Sequence, residues 1–84
     1  MTSWLKCDVT DGMMPGEFAV VMKVSGGRQI SLFAAAQFVR TNPGRLLVTV
    51  MECEKDKALV YLPSNPFEIS SRTVTVPAKE LLAE

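Results

Sequence analysis

The sequence predicts a small, mainly β domain, a five-stranded antiparallel barrel closed by a short C-terminal helical turn. Three observations carry that reading. Apolar residues recur in short runs with period-two alternation, the pattern of half-buried strands. Glycine, proline and charged clusters separate these runs every eight to twelve residues or so, the spacing of small sandwiches and barrels. Finally, 84 residues hold one core, because two cores would leave each half near the roughly 40-residue limit below which chains need disulfides, metals or partners. Residues 1–84 therefore read as a single domain, without internal repeat, low-complexity tract or linker.

The first strand is expected over residues 4–9, where Leu5, Cys7 and Val9 alternate with Lys6 and Asp8, and Asp11-Gly12 ends it. Residues 17–24 form the clearest strand, with Phe18, Val20, Met22 and Val24 on one face and Ala19, Val21 and Lys23 on the other. Ser25-Gly26-Gly27 is a hairpin signal, since glycine reaches the positive φ of tight turns. Residues 28–33 then return antiparallel, with Ile30 and Leu32 inward. The stretch 31–40 also has helical spacing in Leu32, Ala35, Ala36 and Val39, so an α+β alternative places a helix there, capped by Ser31 and stopped by Asn42-Pro43-Gly44. The hairpin strand continuing to about Phe33, followed by a non-strand crossing, is favoured because a helix would orphan the Gly-Gly turn.

Residues 45–53 follow, with Leu46, Val48 and Val50 on one face and Leu47, Thr49, Met51 and Cys53 on the other. Glu54-Lys55-Asp56-Lys57 reverses the chain, and residues 58–62 pair back, apolar on both faces. Pro63-Ser64-Asn65-Pro66 breaks that strand; the last one spans 72–76 with Val74 and Val76 inward, and Pro77 suits the first turn of a short helix through Leu82. This inventory, ending in Val74-Thr75-Val76-Pro77 and Leu81, resembles an SH3-like barrel in architecture. The acidic-aromatic signature of peptide-binding SH3 domains is absent, so the resemblance implies a fold and not peptide recognition.

Composition removes most chemistry. The chain has no histidine, hence no commonest general base, no Ser-His or Cys-His pair and no histidine metal site. Asp8 with Asp11, and Glu52 with Glu54, fall at a strand end and a charged turn, where water solvates them. Gly26-Gly27 lacks any phosphate-loop context. No enzyme activity, metal or cofactor is expected. Cys7 and Cys53 lack metal-ligand and dithiol spacing; they read as buried, reduced thiols, with a disulfide between neighbouring strands as the alternative. No export signal or membrane span is visible, which predicts a cytoplasmic protein without membrane contact.

Two surfaces remain. Val21, Phe33, Leu47, Met51, Leu59 and Tyr61 all lie opposite the expected core, and if uncovered they form an apolar face that docks a second copy (a homodimer) or a larger protein. The competing reading folds 31–40, Trp4, Leu81 and Leu82 over them. Met13-Met14 beside Pro15-Gly16 serve either packing or contact. Lys23 and Arg28 flank one turn, and Arg40 and Arg45 another; they offer an anion or nucleic-acid contact. A net charge of zero, a pI of about 6.2 and the lack of interleaved aromatics disfavour nucleic acid. A non-enzymatic protein-interaction or structural module is the leading function, and a nucleic-acid-binding barrel the alternative.

Overall fold

The computed structural model describes residues 1–82. Their strands are β1 (Thr2–Lys6), β2 (Asp8–Asp11), β3 (Glu17–Lys23), β4 (Gln29–Ala35), β5 (Val39–Arg40), β6 (Arg45–Cys53), β7 (Lys57–Tyr61), β8 (Thr73–Pro77) and β9 (Leu81–Leu82). The fold is mainly β and antiparallel. A six-stranded sheet has the order β8-β7-β6-β1-β9, with β5 beside β6, and a three-stranded sheet the order β2-β3-β4. Among the described residues the strands lie in two antiparallel sheets over one core, and no closed barrel is found. No helix is long and apolar enough to cross a membrane among these residues.

The expected first strand is divided. β1 joins β6 in the large sheet, β2 joins β3 in the small one, and the chain changes sheet at Cys7. There the Cys7 N–H donates to the Gly44 carbonyl at 3.1 Å. Any Cβ on Gly44 would overlap the Cys7 carbonyl oxygen, so this crossing requires glycine.

The β3–β4 hairpin has the anticipated register, with Val20 opposite Leu32 and Met22 opposite Ile30. Gly26 and Gly27 sit at φ +93° and +81°, which explains the pair. β4 runs past Phe33 to Ala35 because the alternation persists through buried Ala34. Only a 3-10 turn at Ala36–Phe38 follows, so the helix alternative is corrected. Ser31 caps no helix; its N–H and hydroxyl both donate to Glu68. The C-terminal helix is also shorter than expected. Pro77 ends β8, a 3-10 turn covers Ala78–Glu80, and Leu81–Leu82 return as β9 against β1.

Leu5, Ile30, Leu32, Leu46, Leu62, Val20, Val48, Val60 and Val76 are the largest fully buried side chains. They come from both sheets, so the core is the seam between them.

Two of the sheet edges, β4 and β8, are met by other parts of the chain. The segment after β7 lies along β4: the Ser64 hydroxyl donates to the Phe33 carbonyl at 2.5 Å, the Phe67 N–H to the Ser31 carbonyl at 2.9 Å, and Ser31 N–H to Glu68 Oε1 at 2.7 Å. On β8, the Ser71 hydroxyl accepts from the Thr73 N–H and donates to the Thr73 carbonyl. The Ser25 N–H donates to the Thr75 carbonyl at 2.9 Å, and Pro77 has no N–H to offer. Edges satisfied in this way do not recruit foreign strands.

Candidate functional site

The outer face of the six-stranded sheet is ordered in rows across the strands. At one end, Lys6 on β1 and Arg40 on β5 stand on either side of Arg45 on β6. Next, Trp4 on β1 lies between Leu82 on β9 and Leu47 on β6. The third row is Thr2, Thr49, Tyr61 and Thr73. At the far end stand Glu52, Leu59 and Thr75. With a rise of about 3.3 Å per residue, the first row lies roughly 20 Å from the last.

A β-bulge between Val50 and Glu52 sets the last row. The extra residue reverses the alternation, so Glu52 takes the outward place opposite Leu59 that simple alternation would give to Met51. Met51 projects from the bulge, 54% exposed.

Trp4 and Tyr61 on this face each carry an arginine. The Arg40 guanidinium lies 4.4 Å from the centroid of Trp4, and that of Arg72 4.6 Å from Tyr61. Arg72 is also tied down by its Nε–H, which donates to the Leu62 carbonyl at 3.1 Å. Cation–π contacts of this kind hold long side chains in place. Trp4 is only 6% exposed and its indole N–H has no acceptor, although it stands outside the main core cluster. Between the Trp4 and Tyr61 rows lies a groove of about 230 Å³, whose lining includes Phe38, Leu47, Thr49, Tyr61, Pro63 and Arg72.

The structure divides the predicted apolar face. Leu47, Leu59 and Tyr61 share the large sheet, Leu47 and Tyr61 lining its groove. Val21 and Phe33 belong to the small sheet. Val21 lines a separate cavity of about 210 Å³ with Lys6, Lys23, Asp8 and Glu80. Phe33 packs edge-on against Phe67, ring centroids 5.1 Å apart. The six residues therefore do not form one patch. The covering of the large-sheet face is partial: Trp4, Leu82 and Phe38 fill part of it, and Tyr61 stays 40% exposed. Met13 and Met14 are 83% and 68% exposed in the β2–β3 loop, outside the core.

The predicted cations divide as well. Arg40 and Arg45 are cross-strand neighbours, whereas Lys23 lines the Val21 cavity and Arg28 lies near Glu68. The Ser31 hydroxyl and N–H, helped by Arg28, hold the Glu68 carboxyl below the usual glutamate range. Cys7 and Cys53 are both free thiols, but Cys7 is only partly buried and Cys53 is exposed, which corrects the expectation that both are buried. Burial, reinforced by Asp8, pushes the Cys7 thiol up to about 12, so it stays protonated and unreactive near neutral pH.

Lys6, Phe38 and Arg72 were not among the sequence-predicted site residues. Lys6 has a signal in its alternation with Leu5. Phe38 and Arg72 have none, because they reach the face from a 3-10 turn and a loop. No protein-family model, curated protein or solved structure is significantly similar to this chain.

Proposed function

We propose that this chain is a non-enzymatic interaction module of SH3-like barrel architecture that binds an extended segment of another polypeptide across the outer face of its large sheet. The groove between the Trp4 and Tyr61 rows carries the proposal, because it combines apolar walls with Arg72, held over Tyr61, in its lining, while Arg40 is held over Trp4 in the neighbouring row. Pockets with an aromatic floor and a few convergent polar groups are the usual receptors for side chains of a docked chain. The architectural reading is supported by the crossing of the chain between sheets at Cys7 and by the return of β9 to β1. Occupied edges at β4 and β8 argue for docking on the face over strand addition. Two free cysteines suit the cytoplasm as its setting.

Nucleic acid is the weaker occupant. Arginine beside aromatic rings is the right chemistry for stacked bases, but Trp4 is closed off beneath Arg40, and the far end of the face carries Glu52.

Selection of extended peptides from a random library tests the proposal. Selected peptides are expected to shift the amide signals of Leu47, Thr49, Tyr61 and Arg72. Tyr61→Ala should weaken them by about 2 kcal/mol, the scale of a central aromatic anchor, roughly 30-fold. Peptides that map to the small sheet, or a concentration-dependent dimer that buries this face, would replace the proposed occupant.

A further inference from the structure

We propose that Lys6, Arg45 and Arg40 form an oxyanion site that takes a phosphate group carried by the docked polypeptide. The inference rests on the functional reading above and names the chemistry of its partner.

The register sets Lys6 and Arg40 directly opposite Arg45 on its two sides. Paired residues on adjacent antiparallel strands have Cα atoms only about 4.5–5.5 Å apart. Like charges so placed repel one another and destabilise the sheet. Among the described residues none of the three cations has an ion pair, and Arg45 has no hydrogen bond to its side chain. The Arg45 Nε is buried without an acceptor, a position that costs free energy in a protein at rest. A bound dianion removes the repulsion, and guanidinium groups match phosphate oxygens as paired donors.

The site is partly organised beforehand. Arg40 is held over the Trp4 ring, so little side-chain freedom remains to be lost on binding. Of the three cations only Lys6 also faces carboxylates, sharing with Asp8 and Glu80 the cavity toward the small sheet, so Arg45 and Arg40 are the principal donors.

The charge gradient along the face selects the carrier. A phosphate at the Lys6 row, followed by an apolar residue in the groove, meets cations first and Glu52 only about 20 Å further on. A nucleic-acid strand repeats its charge at every residue and would meet that carboxylate, and Glu54 beyond it, unfavourably. A polypeptide with one phosphorylated side chain does not.

Trp4 is the only tryptophan, so its fluorescence and its single indole N–H signal report directly on the neighbouring Arg40. The experiment titrates inorganic phosphate into the full chain at constant ionic strength, with chloride as the reference. A saturable Trp4 response is expected, weakened at least about tenfold in Arg45→Gln, as loss of a charge-assisted hydrogen bond implies. Arg40→Gln provides a second variant should the first unfold, and far-UV circular dichroism checks both folds. A linear response equal to that with chloride, or one unchanged in a folded variant, overturns the site. If selected unphosphorylated peptides still bind the groove in that case, the interaction reading stands and the phosphate inference alone falls. Should phosphate bind while no peptide does, the site stands without the groove. Tighter binding of oligo-dT than of a phosphorylated peptide would overturn the assignment of the carrier.

Discussion

Replacing Gly44 by alanine tests the crossing between the sheets. The added Cβ would overlap the Cys7 carbonyl oxygen and lie 3.1 Å from Val9 Cγ2. The first obstacle is backbone and cannot rotate away, so the chain has to move and strain or lose the Cys7 N–H to Gly44 carbonyl bond. Overpacking of this kind costs about 1–3 kcal/mol and a lost hydrogen bond about 1 kcal/mol. Reduced freedom of the unfolded chain returns about 0.4–1 kcal/mol. The net loss is about 1–3.5 kcal/mol, against a total stability of roughly 4–13 kcal/mol for a chain of this length. Near 4–8 °C per kcal/mol, the melting temperature should fall by about 4–28 °C in a reversible thermal scan. Gly16→Ala is the control: its φ is +78°, yet an added Cβ there meets nothing within 4 Å. A melting point for Gly44→Ala within about 3 °C of the parent, or no lower than that of the control, would refute the steric argument.

Acid should release the segment that covers β4. Because the folded Glu68 pKa is lowered, its contribution is present above the ordinary value of 4.5 and is lost as pH falls through the lowered one. The protection of the Phe67 amide, taken relative to its intrinsic exchange rate at each pH, should fall in that acid window, and Ser31→Ala should move the loss to higher pH. Thiol reagents at pH 7.5 should modify Cys53 rapidly and Cys7 only on unfolding. For Cys7 the sign is opposite to that of Glu68: its raised pKa stabilises the fold below the ordinary value of 9.0, and this is lost as pH rises toward about 12. A folded protein in which both thiols react at one rate would contradict this.

Local alternation made much of the fold legible. The bounds of β6, the β3–β4 hairpin and the inward positions Val20, Ile30, Leu46, Val60 and Val76 all follow from period two and turn chemistry. Two kinds of information lie outside that pattern. Alternation runs unbroken through Leu5, Cys7 and Val9, so it does not reveal that the partner changes at Cys7; Gly44, far along the chain, makes the crossing possible. Nor does it reveal which strands share a sheet. Val21 and Leu47 both point away from the core, but from different sheets, and an outward face read from parity alone merges them. The bulge misleads in the same way, since one extra residue exchanges Met51 for Glu52. The basic row was half visible: Arg40 and Arg45 flank one turn, but Lys6 joins them only through β1–β6 pairing.

The position of β1 has a consequence for how the chain folds as it is made. Thr2 pairs with Thr49 and Lys6 with Arg45, so this strand waits for partners some 40 residues downstream. At about 5–20 residues per second, that delay is roughly 2–8 s of synthesis. The β3–β4 hairpin, whose partners are adjacent in sequence, forms within microseconds of its emergence. Trp4 and Leu5, both buried in the finished protein, therefore spend those seconds in water, the last part of them, about 10 residues of synthesis, beside a hairpin whose two strands are already complete. In that interval the exposed Trp4 and Leu5 depend on the charges of Lys6 and Asp8 beside them to avoid association with neighbouring chains.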